Sequence, residues 1–404
     1  MESVILMLFT PPELTPEDRY VLDRIMALRG DVRYLVAERR RWEGLLRRVA
    51  LARAIRGSNS IEGFDVSVED AFAALDEEEP LTASDAAWAA VSGYRDAMTY
   101  VLQLVNDSDF EFDESLVRSL HFMMQSYDLA KWPGRYRQGD IYVYDEDDER
   151  TVYVGPDARE VPKLMQEFAE SLKSPGEDVP PLVRAALAHL NLVMIHPFKD
   201  GNGRMARCVQ ALVLVREEGV LAPEFCSIEE YLGRNEGEYY DVLLEVGAGS
   251  WHPERDATSW VRFCLVAHYR QLLTILRRAK EAERYWSVAE KEITSRGLPE
   301  RMIGPLFHTL SGYRIRNSTY RQIEHNVSAN TASRDLTEMV GSGLLDAVGE
   351  KRGRYYIPVE GLRRTREEIK KAIRSNIRLD EDPYELARAA LEAQKVPEQG
   401  RHES

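Results

Sequence analysis

One segment of the chain gathers, within twelve residues, side chains that phosphoryl-transfer chemistry requires. Residues 196–207 read HPFKDGNGRMAR. A histidine that is neutral near pH 7 can accept a proton, so His196 is a candidate general base. Asp200 offers the hard oxygen ligand that Mg²⁺ prefers where it bridges phosphates. The segment therefore predicts a base and a metal ligand four residues apart.

The second half of the same segment predicts an anion site. Gly201, Asn202 and Gly203 form a short loop that leads into a helix, and such a loop directs backbone N–H groups and the positive end of the helix dipole at a phosphate. Arg204 and Arg207 are three residues apart, so they lie on one face of the first helical turn. Each feature alone is common in ordinary turns and surface helices. Their combination indicates phosphoryl or nucleotidyl transfer.

The elements that must position this segment are mainly helical. Leu182–Ile195 is apolar at nearly every position, which predicts a helix buried on all sides at the centre of a domain. Pro197 is expected to end that helix. Two short β-branched and aromatic runs, Ile141–Tyr144 and Thr151–Val154, predict a β-hairpin. The expected fold class is therefore mainly α with little strand.

Residues 196–207 resemble the signature of the Fic family, HPFx[D/E]GNGRxxR, and match it at every fixed position. Gly134–Arg137 resembles the G-x-[YF]-R that precedes the Fic flap, and Ile141–Val154 lies where that flap is expected. Tyr239 and Tyr240 resemble a pair of tyrosines in a later helix of the family. The resemblance implies a helical Fic core with a small β-hairpin flap. It also implies a protein adenylyltransferase, which transfers AMP from ATP to a Ser, Thr or Tyr hydroxyl of a target protein or of itself.

The resemblance implies a role for each residue of the signature. His196 is expected to be the general base on the target hydroxyl, and Asp200 to hold Mg²⁺. Tyr240 is expected to pack on the adenosine. Gly247 stands where some relatives have an adenine-contacting asparagine, so the identity of the nucleobase that the site selects stays open. Five residues are expected to bind the phosphates of ATP, the last of them at the γ-phosphate: Gly201, Asn202, Gly203, Arg204 and Arg207.

An upstream segment, Ser58–Gly63, reads SNSIEG and fits the family's inhibitory motif [S/T]xxxE[G/N]. The resemblance implies that Glu62 pairs with Arg207 in place of the γ-phosphate, while Ser58 steadies the arrangement. The alternative is that Glu62 is an ordinary helix-end residue, because serine and glutamate at this spacing are common.

Composition limits the classes of partner. The formal net charge of −15 argues against non-specific binding to nucleic acid or to an anionic membrane. The first residues lack the basic start and the long apolar core of a signal peptide, so none is predicted. A membrane span would need a run of about 20 apolar residues, and the sequence has none. The three cysteines, Cys208, Cys226 and Cys264, form no CxxC pair, so we expect a reducing, cytoplasmic environment. The family resemblance is also compatible with a homodimer.

The last third of the chain changes character and predicts a winged helix-turn-helix. The pattern is helix, helix, strand, strand over Thr319–His325, Ser328–Val340, Leu344–Val348 and Arg354–Ile357. Lys351, Arg352 and Arg354 are typical of a wing. This region, 286–360, has ten lysine and arginine residues against nine aspartate and glutamate residues, which is a weak basis for DNA binding.

The sequence therefore predicts four domains and leaves two functional classes open. The domains are an N-terminal helical region with the inhibitory helix, a Fic catalytic domain, a winged helix-like domain and a charged helical tail, over 1–114, 115–285, 286–360 and 361–404. The first function is a protein adenylyltransferase with ATP as substrate, Mg²⁺ as cofactor and autoinhibition by Glu62. The alternative is a DNA-binding regulator with an ancillary Fic core.

Overall fold

The computed structural model describes residues 7–37, 42–75, 79–80, 82–104, 107, 109–145, 150–173, 178–218, 227–350 and 353–395. Cys226, Lys351 and Arg352, which the sequence analysis singled out, lie outside these ranges. The chain forms two compact units. The first comprises residues 1–29, 50–272 and 381–404, and the second comprises 30–49 and 273–380. The four domains predicted from sequence have other boundaries and stay a prediction.

Helices dominate the described chain, as the sequence predicts. Three helices have residues in both units: α1 (Pro16–Ala37), α2 (Glu43–Ser60) and α11 (Thr258–Ser295). The other helices of the first unit are α3 (Val68–Leu75), α4 (Asp85–Gln103), α5 (Glu114–Gln125), α6 (Val161–Lys173), α7 (Pro181–Ile195), α8 (Asn202–Glu218), α9 (Glu229–Leu232), α10 (Glu236–Gly247) and α16 (Pro383–Lys395). None of the described helices has the length and apolar run that a membrane crossing needs.

The core of the first unit is built around α7. Twelve of the fifteen residues of this helix are buried, which agrees with the predicted all-round apolar helix. Helix α7 packs along α8 and against α6, and α4 packs on α5 and α8. Trp260 of α11 is fully buried and donates from its indole Nε1 to the carbonyl of Ala186 at 2.7 Å. The helix that precedes His196 is thus held on several sides.

A two-stranded antiparallel hairpin lies in the predicted place. Strand β1 (Tyr142–Asp145) pairs with β2 (Arg150–Val154), with an irregularity in register between Val143 and Tyr144. Tyr153 faces inward, and its hydroxyl donates to the carbonyl of Met194 at 2.7 Å. The inward side chain therefore ties the hairpin to the last turn of α7.

The second unit contains three helices, a hairpin and a further helix. These are α12 (Ile303–Leu310), α13 (Asn317–Ile323), α14 (Ala329–Gly341), β3 (Leu345–Val348), β4 (Tyr355–Pro358) and α15 (Glu360–Arg374). The Ser328 hydroxyl caps α14 by accepting from the amide of Thr331 at 3.2 Å, which is a usual way to start a helix. The predicted order of helix, helix, strand and strand is present. The winged-helix assignment and DNA binding stay predictions.

Candidate active site

His196 ends α7 in an unusual backbone conformation. Its φ is 52°, and its amide donates to the carbonyl of Leu192 at 3.0 Å. The ring Nδ1 lies 3.0 Å from the carbonyl of Val193. Because a carbonyl only accepts, Nδ1 carries the proton and Nε2 of the neutral ring keeps its lone pair. Burial lowers the pKa of His196, so the neutral ring dominates at pH 7. The structure thus gives His196 a free proton-accepting nitrogen.

Arg137 fixes the backbone on which His196 sits. Its Nε donates to the His196 carbonyl at 2.8 Å, and its backbone amide donates to the carbonyl of Pro197 at 2.9 Å. A third bond runs from Nη1 to the carbonyl of Gly139 at 2.8 Å. Arg137 belongs to the GRYR segment noted in the sequence, but this supporting contact was not predicted. It connects the segment before the hairpin to the end of α7.

The loop after His196 is closed by its own asparagine. The Asn202 side chain accepts from the Phe198 amide and donates to the Phe198 carbonyl, both at 2.9 Å. Asn202 is buried at the first turn of α8. His121 stacks on the Phe198 ring at 3.7 Å between centroids and contacts the carbonyl of Asp200 at 3.0 Å. Burial lowers the pKa of His121 to about 4, so it is a neutral buttress of the loop. Asn202 shapes the loop by these bonds.

Asp200 is fixed through three atoms. Its Oδ1 accepts from the amide of Gly201 at 2.6 Å, and its carbonyl contacts His121. Its Oδ2 pairs with Nζ of Lys131 at 2.9 Å. Burial alone would raise the pKa of Asp200, but Lys131 and the Gly201 amide lower it overall. The carboxylate is ionised at neutral pH and 37% exposed, as a metal ligand would need to be.

Arg207 lies at the other end of the loop and is bound by the upstream segment. Its Nη2 pairs with Oε1 of Glu62 at 2.7 Å. Ser58 accepts from it twice, through its hydroxyl at 2.8 Å and its carbonyl at 2.9 Å. The Arg207 side chain is only 1% exposed. Burial would lower the pKa of Arg207, but Glu62 raises it overall, so the group is a permanent cation.

Glu62 also covers the glycine loop itself. A Cβ built on Gly203 would clash with Oε1 of Glu62 and would lie 3.1 Å from Nη1 of Arg207. Only a residue without a side chain leaves room for this approach. Arg204 is buried beside it, with its guanidinium 5.1 Å from the ring of Phe64. The carboxylate therefore lies directly over the first turn of α8.

The paired tyrosines of α10 divide their contacts. Tyr239 is buried, with its hydroxyl 3.0 Å from Nε2 of His189 and 3.5 Å from Nη1 of Arg207. Tyr240 is partly exposed, and its hydroxyl donates to the carbonyl of Ile61 at 3.1 Å. Tyr240 therefore contacts the segment that carries Glu62. Gly247, at the end of the same helix, packs tightly against Met194.

A second layer behind Ser58 escaped the sequence analysis. Glu229 in α9 is buried, and Tyr94 donates to its Oε1 at 2.7 Å. Burial raises the pKa of Glu229 to about 7. A Cβ built on Gly57 would clash with the carbonyl of Glu229, so the backbones of α2 and α9 are in direct contact. No sequence motif marks either residue, because their effect depends on where the two helices meet.

The structure brings the predicted site residues together around the start of α8. His196 and Asp200 lie at one side of the loop. The predicted phosphate-binding residues come next along the chain: Gly201, Asn202, Gly203, Arg204 and Arg207. Ser58, Glu62 and Tyr240 reach the same place from distant parts of the chain. Within the described ranges no group of three or more His, Cys, Asp or Glu side chains could hold a metal ion. The donor set is thus a single carboxylate, which suits a cation that takes most of its oxygens from phosphate and water.

Part of the chain is similar in sequence to known proteins. Residues 111–214 match the Fic/DOC family. The chain is 29% identical over 157 residues to protein adenylyltransferase Fic of Nematostella vectensis, covering 38% of this chain and 34% of that protein. It is 31% identical over 121 residues to protein adenylyltransferase fic-1 of Caenorhabditis elegans, covering 30% and 21%. The aligned regions thus span about a third and a fifth of these relatives.

The fold is also that of a solved structure. The crystal structure of a Fic family protein from Desulfovibrio desulfuricans G20 superposes with a TM-score of 0.56 at 22% sequence identity. The alignment covers 87% of this chain and 98% of that one. Most of the chain therefore shares that architecture.

Proposed function

Because residues 111–214 form a Fic/DOC family domain, we propose that the chain is a protein adenylyltransferase, which transfers AMP from ATP to a hydroxyl side chain. The observation that carries the proposal is the convergence of a neutral histidine, a glycine loop and two buried arginines at the start of α8. The two curated relatives named above bear the same activity in their names. The target hydroxyl belongs to another protein or to the chain itself.

His196 acts as the general base. The target hydroxyl oxygen attacks the α-phosphorus of ATP, the bond between that phosphorus and the bridging oxygen to the β-phosphate breaks, and pyrophosphate leaves. The hydroxyl proton passes to Nε2 of His196, which is free because Nδ1 donates to Val193. A base of this kind contributes on the order of 10²–10⁴ in rate.

The start of α8 binds the phosphates. Gly201, Asn202 and Gly203 form the phosphate-binding loop there. The backbone N–H groups of Asn202 and Gly203 face the phosphates, while that of Gly201 donates to Asp200, and the helix dipole favours negative charge at this point. Arg204 and Arg207 supply cationic donors, with Arg207 at the γ-phosphate. Tyr240 contacts the adenosine after the segment around Ile61 moves aside.

Asp200 fits Mg²⁺ as a single carboxylate that leaves room for phosphate and water oxygens. When bound, the cation would neutralise the charge that builds up on the phosphates. Asp200 is suited to hold it because its Oδ1 and its carbonyl are already fixed by Gly201 and His121. The orientation of the remaining oxygen is therefore set before any cation arrives.

Glu62 holds the described conformation in an inhibited state. It pairs with Arg207 at 2.7 Å and lies over Gly203, where the phosphates would sit. ATP then binds with its γ-phosphate displaced, and the α-phosphorus is out of line with the hydroxyl on His196. A charge-assisted pair of this kind contributes about 1.5–3 kcal/mol, enough to lower the productive fraction by one to two decades.

The hairpin β1–β2 positions the target. An extended target segment adds a strand to its edge, so main-chain hydrogen bonds hold targets of varied sequence. Tyr142 and Tyr144 point to solvent beside that edge and offer contact area to the incoming segment.

The reaction class is tested by intact mass spectrometry of the full chain after incubation with ATP and Mg²⁺. We expect an AMP adduct on the Glu62→Gly variant and little or none on the wild type. The variant that combines Glu62→Gly with His196→Ala serves as the control and is expected to stay unmodified. A phosphate adduct contradicts the proposal, and no adduct on a folded chain that binds ATP contradicts transfer to the chain itself.

A further inference from the structure

Lys131 holds the oxygen of Asp200 that faces away from the loop amides. The Nζ atom lies 2.9 Å from Oδ2, while Oδ1 is occupied by the amide of Gly201. Both carboxylate oxygens thus have a partner within the chain. A divalent cation that approaches Oδ2 meets an ammonium group of the same sign.

The position of Lys131 is built by its surroundings. It ends a short 3₁₀-helix, Leu129–Lys131, which the Asp128 side chain caps by accepting from the amide of Ala130 at 3.0 Å. Lys199 from the loop donates to the carbonyl of Ala130 at 3.0 Å, and its Nζ lies 5.0 Å from the centre of the Trp132 ring.

Two lysines thus join the 3₁₀-helix to the loop in opposite directions. Lys131 reaches from the 3₁₀-helix to a carboxylate of the loop, and Lys199 reaches from the loop to a carbonyl of the 3₁₀-helix. Trp132 directly follows Lys131 and ends the 3₁₀-helix with φ of 55°. A lysine held in this way differs from a freely rotating surface lysine, because the backbone that carries it is fixed on both sides.

We propose that Lys131 competes with the divalent cation for Asp200 and so sets how strongly nucleotide binding depends on metal. The inference rests on the proposed function, since it concerns the same nucleotide site. Without metal, the ammonium supplies positive charge near the phosphates. When the cation binds, Lys131 must leave Oδ2, and the loss of this ion pair reduces how much the cation strengthens nucleotide binding. Both effects make nucleotide binding less dependent on metal than Asp200 alone would.

The test measures the affinity of the full chain for α,β-methylene ATP by isothermal titration calorimetry, once in EDTA and once in Mg²⁺. All variants carry Glu62→Gly so that the phosphates can enter. The readout is the dissociation constant in EDTA divided by the dissociation constant in Mg²⁺, so a higher ratio means stronger dependence on metal. Removing the ammonium with Lys131→Met is expected to raise this ratio about fivefold, since ion pairs of this exposure are modest.

Two matched variants separate competition from a general loss of local order. Lys131→Arg keeps a cation that can pair with Asp200, and Lys199→Met removes the reciprocal lysine, which touches no carboxylate oxygen of Asp200. Lys131→Arg is expected to keep the ratio of the parent. Lys199→Met loosens the 3₁₀-helix but leaves the Lys131 ammonium in place, so it is expected to raise the ratio by less than about twofold. An unchanged ratio in Lys131→Met, or an equal rise in Lys199→Met, overturns the inference. Absence of nucleotide binding in every variant, even with Mg²⁺, overturns it together with the nucleotide site itself.

Discussion

The two ends of the glycine loop are both occupied by ion pairs, and the two pairs differ in burial. Arg207 and Glu62 lie 2.7 Å apart, and their side chains are 1% and 20% exposed. Asp200 and Lys131 lie 2.9 Å apart, and their side chains are 37% and 41% exposed. The distances are nearly equal, so the difference in strength comes from solvent, which screens the second pair far more than the first.

This contrast separates two kinds of control. Under the proposed function, a protein carboxylate takes the place of a phosphate at the buried end, and its displacement must also satisfy a buried guanidinium. On the same proposal, a protein ammonium takes the place of a metal ion at the exposed end, where a millimolar cation can compete with it. The first arrangement suits an inhibitory lock, and the second suits a graded response to ligand concentration.

The largest expected effect lies between the two ends. His196→Ala, made in the Glu62→Gly background, should lower the rate of AMP transfer by about 10²–10⁴, because it removes the proton acceptor. It touches neither ion pair, so nucleotide affinity and its metal dependence should stay within about twofold. Transfer assays and calorimetry measure the two quantities. Normal transfer by the alanine variant would show that His196 is not the base.

The next effect breaks the buried pair. Glu62→Gly should raise AMP transfer about 10- to 100-fold over the wild type, which is the factor that a pair of 1.5–3 kcal/mol controls. It also leaves Arg207 buried without its carboxylate, so ATP should raise the melting temperature of this variant more than that of the wild type.

Asp65→Gly is the matched control for Glu62→Gly. Asp65 lies three residues after Glu62, but it is exposed, and its Oδ1 lies 3.8 Å from Nη2 of Arg56. Transfer by Asp65→Gly should equal that of the wild type. If both variants were equally active, or if adding Arg207→Ala to Glu62→Gly kept the gain, the lock would not be the Glu62–Arg207 pair.

A smaller effect should come from the layer behind the lock. A methyl group at Gly57 would clash with the carbonyl of Glu229, so Gly57→Ala must shift the end of α2 that carries Ser58. We expect transfer to rise about three- to tenfold, since the pair is loosened rather than removed. Gly44→Ala lies in the same helix and meets nothing within 4 Å, so it should leave transfer unchanged. An equal response of the two variants would argue against this contact.

The smallest effect concerns salt. The Debye length falls from about 10 Å at 0.1 M to about 3 Å at 1 M ionic strength, and exposed pairs are screened more than buried ones. The ratio of transfer by Glu62→Gly to transfer by the wild type should therefore change less than about twofold over this range. The difference in the metal dependence of nucleotide binding between the parent and Lys131→Met should shrink as the salt concentration rises. If the ratio of transfer by Glu62→Gly to transfer by the wild type fell toward one in high salt, the Glu62–Arg207 pair would not be shielded from salt.

Sequence could predict the parts of the site that are contiguous. His196, Asp200 and the loop to Arg207 share one segment, and the apolar helix and the hairpin follow from simple periodicities. Ser58 and Glu62 were found through a motif because they too are close in sequence. Their predicted roles remain predictions, while their placement around α8 is a structural fact.

The rest depends on where distant segments meet. Lys131 is one of ten lysines in the chain, and no motif around it indicates that it reaches Asp200. From its sequence neighbours alone, Glu229 would be expected at the surface, but α4 and α9 bury it against Tyr94. Gly57 is one small residue among several in α2. Each of these contacts joins residues far apart in the chain, so local pattern carries no signal for it.

The backbone of His196 has a consequence for how this chain could be stabilised. At φ of 52° a side chain costs about 1 kcal/mol relative to glycine, the residue that favours this conformation. Selection for folding stability alone would therefore place glycine at the end of α7. If His196 is the general base, as proposed, the imidazole at this position favours reactivity over stability. A stabilising redesign that scored only the fold would then remove the proposed proton acceptor.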